Sequence, residues 1–297
     1  MATLREVRAR IAGVKKTQKI TRAMKMVAAA KLRRAQSNVV AARPYARKID
    51  ELLRHLCASA DVSQEALLTP REVKRVAVIA VTSDRGLCGA FNSNLLKAAA
   101  NHIATQYPSS KEDRTLGVFC VGRKGFDFFG KRLYTINGKY IGVYSNLIFA
   151  QAQTIAQDII GGYLRGEFDR VDIIYNEFKS IAQQRIVVEQ FLPVPSQATS
   201  SDGTPKARPA QYIYEPSSIE IVRALVPKHL NFQIWRILLE SNASEQGARM
   251  AAMENATENA NEMISSLQLQ YNKARQAAIT KELLEVVSGA EALKKAG

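Results

Sequence analysis

The sequence predicts a fold of the α/β class plus long helices, in which an antiparallel coiled coil of the N- and C-terminal helices carries an inserted Rossmann-like α/β domain. Both ends of the chain have apolar residues at coiled-coil spacing. Proline and glycine are concentrated between the two ends. The middle alternates β-branched apolar runs with helical segments. We therefore expect a coiled-coil helix over 1–57, the α/β domain over 73–215 and a second coiled-coil helix over 216–297.

The N-terminal helix is predicted from a stripe of residues that recur three and four positions apart. The stripe consists of Leu4, Val7, Ile11 and Val14, the polar Gln18 and Thr21, and then Met24, Val27 and Leu32. Pro44 is expected to bend this helix or to start a new segment, because proline cannot donate the helical hydrogen bond.

Between the terminal helices, the sequence predicts four strands and two helices. The predicted strands are 73–82, 116–121, 171–178 and 185–192, and the predicted helices are 92–107 and 149–164. The last strand is expected to lie antiparallel to the third. Strands that alternate with helices are typical of a small Rossmann-like sheet.

The C-terminal helix is predicted from about residue 220 to about residue 290 by the same spacing. Its stripe consists of Met250, Met253, Ala256, Ala260, Met263, Leu267, Tyr271, Ala274, Ala278, Leu284 and Val287. A helix of this length is not stable in water without a partner face, so we expect the two terminal helices to pair.

Composition excludes several classes of protein. Of the 297 residues, 46% are hydrophobic and 23% are charged, as in folded chains rather than disordered ones. The three cysteines include no CxxC pair, which argues against a disulfide framework and against a structural zinc site. No apolar run reaches the roughly 18 residues that a membrane-spanning helix needs. We expect no cofactor and no metal.

The basic charge is concentrated at the N terminus. The formal net charge is +15, and residues 1–54 account for +12 of it, with 15 Lys and Arg against three acidic residues. Clustered cations neutralise phosphates, so a nucleic-acid-binding coiled-coil protein is one alternative. The cluster has no aromatic residue before Tyr45 on which a base could stack. The other interpretation is an acidic partner surface.

The segment from Ser83 to Gly89 follows the first predicted strand, where a phosphate-binding loop would lie. It contains neither GxGxxG nor GxxxxGK[ST]. Cys88 could act as a nucleophile only with a nearby base. A Rossmann-type enzyme is therefore a further alternative, but a turn between strand and helix is the preferred interpretation.

Four stretches together resemble the gamma subunits of F-type ATP synthases. They are residues 20–28 (ITRAMKMVA), 82–89 (TSDRGLCG), 240–260 (ESNASEQGARMAAMENATENA) and 271–283 (YNKARQAAITKEL). The resemblance covers essentially the whole chain in the right order. It implies a non-catalytic rotor shaft that couples ion-driven rotation of a c-subunit ring to the conformational cycle of catalytic beta subunits during ATP synthesis.

The resemblance also implies partners and contact positions. The partners are the alpha3beta3 catalytic hexamer, the epsilon subunit and the c-subunit ring, with no nucleic acid. The positions that match beta-subunit contacts are Met24, Lys25, Arg249, Arg275, Gln276, Thr280 and Glu282. Those that match the foot facing the c ring and epsilon are Tyr212 and Glu215.

A location is implied as well. The first family helix begins at the start of the sequence, without a presequence, which favours a bacterial protein at the cytoplasmic face of the plasma membrane; a processed protein on the matrix face of a mitochondrion would look the same. No cysteine pair follows Cys120, so thiol regulation of the chloroplast type is not expected.

Overall fold

The computed structural model describes residues 3–59, 65–108, 115–180, 183–195, 214–215 and 217–296. The helices are α1 (Leu4–Ser59), α2 (Phe91–Gln106), α3 (Arg123–Gly130), α4 (Phe149–Leu164) and α5 (Ser218–Ala296). The strands are β1 (Val76–Val81), β2 (Leu116–Val121), β3 (Thr135–Tyr140), β4 (Arg170–Phe178) and β5 (Gln184–Leu192). Two long terminal helices and a central α/β region confirm the predicted fold class.

The five strands form one sheet in the order β3-β2-β1-β4-β5. The first four strands run parallel, and β5 is antiparallel to β4, as predicted. β1 begins at Val76, three residues later than predicted. The backbone N–H groups of Lys74 and Arg75 donate instead to the Asp169 carboxylate, over 3.1 and 2.8 Å.

The sheet is covered on both faces because alternate residues of β1 point to opposite sides. Ala77, Ile79 and Val81 belong to a core that also contains side chains of α1, α4 and α5. Val76, Val78 and Ala80 belong to a second core with side chains of α2 and α3. A strand buried on both faces reads as a continuous apolar run, which explains why this element was predictable.

α3 and β3 were not predicted from the sequence. α3 has only eight residues, and β3 (TINGKY) lies at the sheet edge with alternately exposed and partly buried residues. Glycine and asparagine are uncommon in strands, so residues 135–140 carry a weak strand signal. β3 is held by pairing with β2 rather than by its own propensity.

The chain forms two compact units, one of residues 1–27 with 250–297 and one of residues 28–249. The predicted domains, 1–57, 73–215 and 216–297, were drawn at the ends of helices and strands, whereas these units are defined by compactness. The predicted domain boundaries therefore stay a prediction. α1 passes through Pro44 as one helix, so of the two predicted outcomes a new segment is wrong and a bend stays a prediction. Tyr45, next to this proline, packs against Phe232 of α5 with ring centroids 4.7 Å apart, and Ile49 is buried one turn later.

The buried stripe on each long helix differs in detail from the predicted one. Val27 is 57% exposed and Ala28 is 1% exposed. On α5, Met263 is 53% exposed and Ile264 is 8% exposed. Each stripe keeps its three-and-four spacing but is displaced by one residue at these points. Three-and-four spacing does not distinguish which of two adjacent apolar residues faces the partner, and the phase of the helix decides it.

Candidate interaction surfaces

In the unit of residues 3–27 and 250–296, polar side chains join α1 to an antiparallel α5. The pairs are Arg8–Tyr271, Gln18–Asn261, Thr21–Thr257 and Lys25–Glu254. Their residue numbers add to 278 or 279 in every pair. At this register, Leu4, the first residue of α1, lies opposite residue 275. The turns of α5 after about residue 278 therefore have no residue of α1 opposite them.

This end of α5 exposes apolar side chains. Ile279, Leu283, Leu284, Val286 and Val287 are 48–69% exposed. The prediction that Leu284 and Val287 continue the packed stripe is wrong for this reason: the partner helix begins too late to cover them. Solvated leucines and valines at one end of a helix indicate a surface that another molecule covers.

Four predicted contact residues lie in the same part of α5. Arg275, Gln276, Thr280 and Glu282 are all exposed. The Thr280 hydroxyl donates to the backbone carbonyl of Gln276 over 3.0 Å, an ordinary bond within a helix. These polar groups and the apolar ones together make the end of α5 amphipathic.

Met24 and Lys25 lie inside the helix pair rather than wholly on its surface. Both are partly buried. Lys25 forms an ion pair with Glu254, whose side chain is 52% exposed. In this structure the Lys25 charge is thus already balanced within the chain.

Seven further cations of α1 are exposed and form no ion pair among the described residues. Lys15, Lys16, Lys19 and Arg22 are exposed in the first unit, and Lys31, Arg33 and Arg34 are exposed in the second. Within the described residues none of these seven forms an ion pair. In each unit, exposed cations without an ion pair attract an acidic surface.

Arg249 has a different environment from the one predicted. Its side chain is only 12% exposed and pairs with Glu245 one turn earlier on α5. It also donates to the backbone carbonyl of Gly86. Burial raises the pKa of the Glu245 carboxyl, and the hydrogen bond and charge of Arg249 oppose that shift. The hydrogen bond from Arg249 to Gly86 therefore connects the 83–89 turn to α5.

The 83–89 turn holds its own polar groups. The Ser83 hydroxyl donates to the Arg85 carbonyl over 2.7 Å and accepts from the Asn92 amide over 2.8 Å. Gly89 has a φ of 58°, and Leu87 has a φ of 63° although it is not glycine. The structure thus agrees with the preferred interpretation, a turn between strand and helix.

Cys88 and Cys120 are buried, and Cys57 is partly buried. Burial raises the pKa of all three thiols, to about 12 for Cys120, which disfavours the reactive thiolate. The described residues contain no group of three or more His, Cys, Asp and Glu side chains that could hold a metal ion. None of the described helices combines the length and the apolarity that crossing a bilayer requires.

Of the two residues predicted to contact the c ring and epsilon, the structure describes one. Glu215 is exposed. Tyr212 lies outside the described residues. Glu245 and Glu254, the partners of Arg249 and Lys25, were not predicted from the sequence. The i, i+4 spacing of Glu245 and Arg249 is the one signal that could have revealed the first pair.

Comparison with known proteins gives a consistent result. A family model described as ATP synthase matches residues 3–293. The ATP synthase gamma chain of Chlorobium phaeobacteroides is 53% identical over 295 residues, covering 99% of this chain and 100% of that one. The gamma chain of Chlorobaculum tepidum is 52% identical over 296 residues, with the same coverage.

Solved structures share the fold. A chain of the central stalk and c-ring of the Tetrahymena thermophila mitochondrial ATP synthase superposes with a TM-score of 0.62 at 25% identity, covering 80% of this chain and 99% of that one. A chain of the OSCP/F1/c-ring structure of the Euglena gracilis mitochondrial ATP synthase gives a TM-score of 0.68 at 20% identity, covering 98% and 94%.

Proposed function

This chain belongs to the family of ATP synthase gamma chains, and we propose that it is the central-stalk subunit, the rotor shaft, of an F1Fo ATP synthase. It couples ion-driven rotation of the c-ring to the conformational cycling of the catalytic beta subunits for ATP synthesis. Within the chain, the observation that carries this proposal is the register of the helix pair. That register leaves apolar side chains of α5 between residues 279 and 287 exposed, with no residue of α1 opposite them.

The mechanism requires a shaft that stabilises different states of its neighbours at different angles. A ligand shifts a conformational equilibrium only through contacts that differ between the two states. A pair of helices whose exposed surfaces differ in chemistry can provide such contacts. Here α1 exposes cations, and α5 exposes apolar groups near its end. As the shaft turns, each beta subunit meets a different side of it, and its affinity for ADP, phosphate and ATP changes in sequence.

Two surfaces are assigned to the alpha3beta3 hexamer. The exposed cations of α1 suit an acidic lever on the beta subunits, with Met24 and Lys25 at the edge of this face. The end of α5, with Arg275, Gln276, Thr280 and Glu282, suits loops of the catalytic subunits. Arg249 contributes indirectly, because it holds the 83–89 turn in place.

The remaining partners belong to the foot of the shaft. Glu215 and Tyr212 are assigned to contacts with the c-subunit ring and the epsilon subunit. The complex places this chain at the cytoplasmic face of a bacterial plasma membrane as a peripheral subunit. The full-length match to the gamma chains of Chlorobium phaeobacteroides and Chlorobaculum tepidum supports the bacterial part of this proposal.

The chain is proposed to have no active site of its own. The Ser83 hydroxyl donates its hydrogen bond to the Arg85 carbonyl, and Arg249 forms an ion pair with Glu245. ATP is made and hydrolysed by the complex, and this subunit biases the closure of another subunit.

Charge reversal on α1 tests the proposal. We expect Arg33→Glu/Arg34→Glu to leave folding unchanged, because exposed charges contribute about 1 kcal/mol or less to stability. In the reconstituted complex the same variant should pump fewer protons for each ATP hydrolysed. The matched control is Arg5→Glu/Arg10→Glu, which reverses two exposed cations in the first turns of α1.

Two results would contradict the assignment. One is full proton pumping per ATP in the Arg33→Glu/Arg34→Glu complex. The other is a failure of the unmodified chain to co-purify with alpha, beta, epsilon and c subunits.

A further inference from the structure

The C-terminus of α3 has an unusual residue in a common motif. The Tyr134 N–H donates to the Phe129 carbonyl and the Leu133 N–H donates to the Gly130 carbonyl, each over 3.2 Å. The Tyr134 and Phe129 rings pack edge to face with centroids 5.2 Å apart. These bonds and this contact define a Schellman motif, whose left-handed position is usually glycine. Here that position is Leu133, with a φ of 59°.

Leu133 is not explained by packing. Its side chain is 91% exposed, the highest exposure among the large apolar residues of the described chain. A leucine this exposed buries almost no apolar surface and so does not stabilise the fold. The left-handed backbone also brings its Cβ into unfavourable contact with the main chain. A strained residue that does not serve the core is a sign of function.

The chain around Leu133 is strongly basic. Residues 123–140 contain five Lys and Arg and one acidic residue, Asp127. In the part of the chain that the structure describes, none of these five cations is in an ion pair. Lys131 and Arg132 immediately precede Leu133, and the Arg132 guanidinium lies 3.7 Å from the centroid of the Phe128 ring. The Arg132 guanidinium, held against the Phe128 ring, and the Lys131 ammonium therefore both lie next to a projecting leucine.

We propose that Lys131, Arg132 and Leu133, named here the α3 turn surface, bind the surface of a bilayer that contains anionic phospholipids. The two cations contact lipid phosphates, and Leu133 enters the boundary between headgroups and acyl chains. Interfacial binding generally combines apolar insertion with attraction to anionic lipids. A lipid surface is favoured over an acidic peptide because it offers phosphates to the two cations and an apolar layer to the leucine that is 91% exposed beside them. The inference does not depend on the central-stalk function.

Vesicle binding by the full-length chain tests this inference. Sedimentation with phosphatidylcholine vesicles that contain 30 mol% phosphatidylglycerol, at about 0.1 M salt to screen distant charges, gives a partition coefficient. Leu133→Asn keeps the net charge and suits the left-handed backbone. We expect it to fold normally and to lower the partition coefficient about tenfold, as the loss of one buried leucine side chain implies.

A matched pair of variants separates the α3 turn surface from net charge. Lys131→Glu/Arg132→Glu and Lys15→Glu/Lys16→Glu change the charge equally, and only the first alters this surface. We expect the first variant to lose severalfold more binding than the second. Equal losses in the two variants, with no effect of Leu133→Asn, would show binding by net charge alone and overturn the inference.

A fluorescent reporter gives an independent readout. In Leu133→Trp, the new indole should shift to shorter wavelength when anionic vesicles are added, whereas Tyr45→Trp, at a residue 53% exposed on α1, should not. The inference is overturned if neither indole shifts. It is equally overturned if the chain binds a polyglutamate peptide through Lys131 and Arg132 but does not bind the vesicles.

Discussion

At the scale of single residues, Thr21 and Arg249 each bond to a group that lies far away in the sequence. Thr21 was correctly placed in the stripe of α1, and its hydroxyl meets that of Thr257 at 2.7 Å. Arg249 was expected to face a partner, but it is largely buried in this chain. Its contact with Gly86 joins residues 163 positions apart, and no local pattern encodes such a pairing. Periodicity predicts which side of a helix is buried, whereas the groups that meet a buried charge depend on tertiary structure.

The Arg249 contacts predict a large effect of one substitution. Arg249→Leu should lower the free energy of unfolding by about 3 kcal/mol, because it leaves the Glu245 carboxylate buried without its partner. Denaturant unfolding measures the change. Glu245→Leu added to Arg249→Leu should restore part of the loss, since no unpaired charge then remains.

Arg275→Leu is the control, because Arg275 is exposed on the same helix. It should change the free energy of unfolding by no more than about 0.5 kcal/mol. Equal effects of Arg249→Leu and Arg275→Leu would mean that the contacts of Arg249 do not stabilise the fold.

At the scale of elements, prediction succeeded where burial was uniform. β2 and α4 were placed at their observed bounds, 116–121 and 149–164. All six residues of β2 are buried, so its apolar run is unambiguous. β3 was missed because an edge strand with glycine and exposed polar residues lacks such a run. The terminal helices were found, but the one-residue displacement at Val27 depended on the phase of the partner helix.

The observed phase of α1 predicts different outcomes for one substitution at two neighbouring sites. Ala28→Leu should destabilise the chain by about 1–3 kcal/mol, because Ala28 is 1% exposed and a larger side chain must displace its neighbours. Ala30→Leu makes the identical change at an exposed position and should have little effect. Thermal and denaturant unfolding of both variants provide the comparison. A larger loss from Ala30→Leu would contradict the observed phase.

At the scale of the whole molecule, the chain keeps several groups that its own fold does not use. The seven exposed cations on α1 form no ion pair among the described residues, and the apolar side chains of α5 between residues 279 and 287 are exposed. Composition revealed the first feature, since the charge imbalance is visible in residues 1–54. It could not reveal the second, because the apolar spacing on α5 continues past the point where α1 begins. Only the register of the pair shows where mutual coverage stops.

The uncovered end of α5 therefore predicts a separation between folding and assembly. Replacing Leu283, Leu284, Val286 and Val287 with alanine should change the free energy of unfolding of the isolated chain by less than about 1 kcal/mol, since these side chains are 54–69% exposed. Leu32→Ala, at a residue 3% exposed, should lower the free energy of unfolding by about 2–5 kcal/mol.

In assembly with alpha and beta subunits the fourfold variant should be the more strongly affected of the two, because full burial of each leucine or valine contributes about 1.5–3 kcal/mol. The fourfold variant should then bind the hexamer at least tenfold more weakly, measured by titration of labelled chain, while folded Leu32→Ala keeps its affinity. Unfolding of the isolated fourfold variant would mean that α5 packs its end internally, and unchanged hexamer affinity would mean that this end meets no partner.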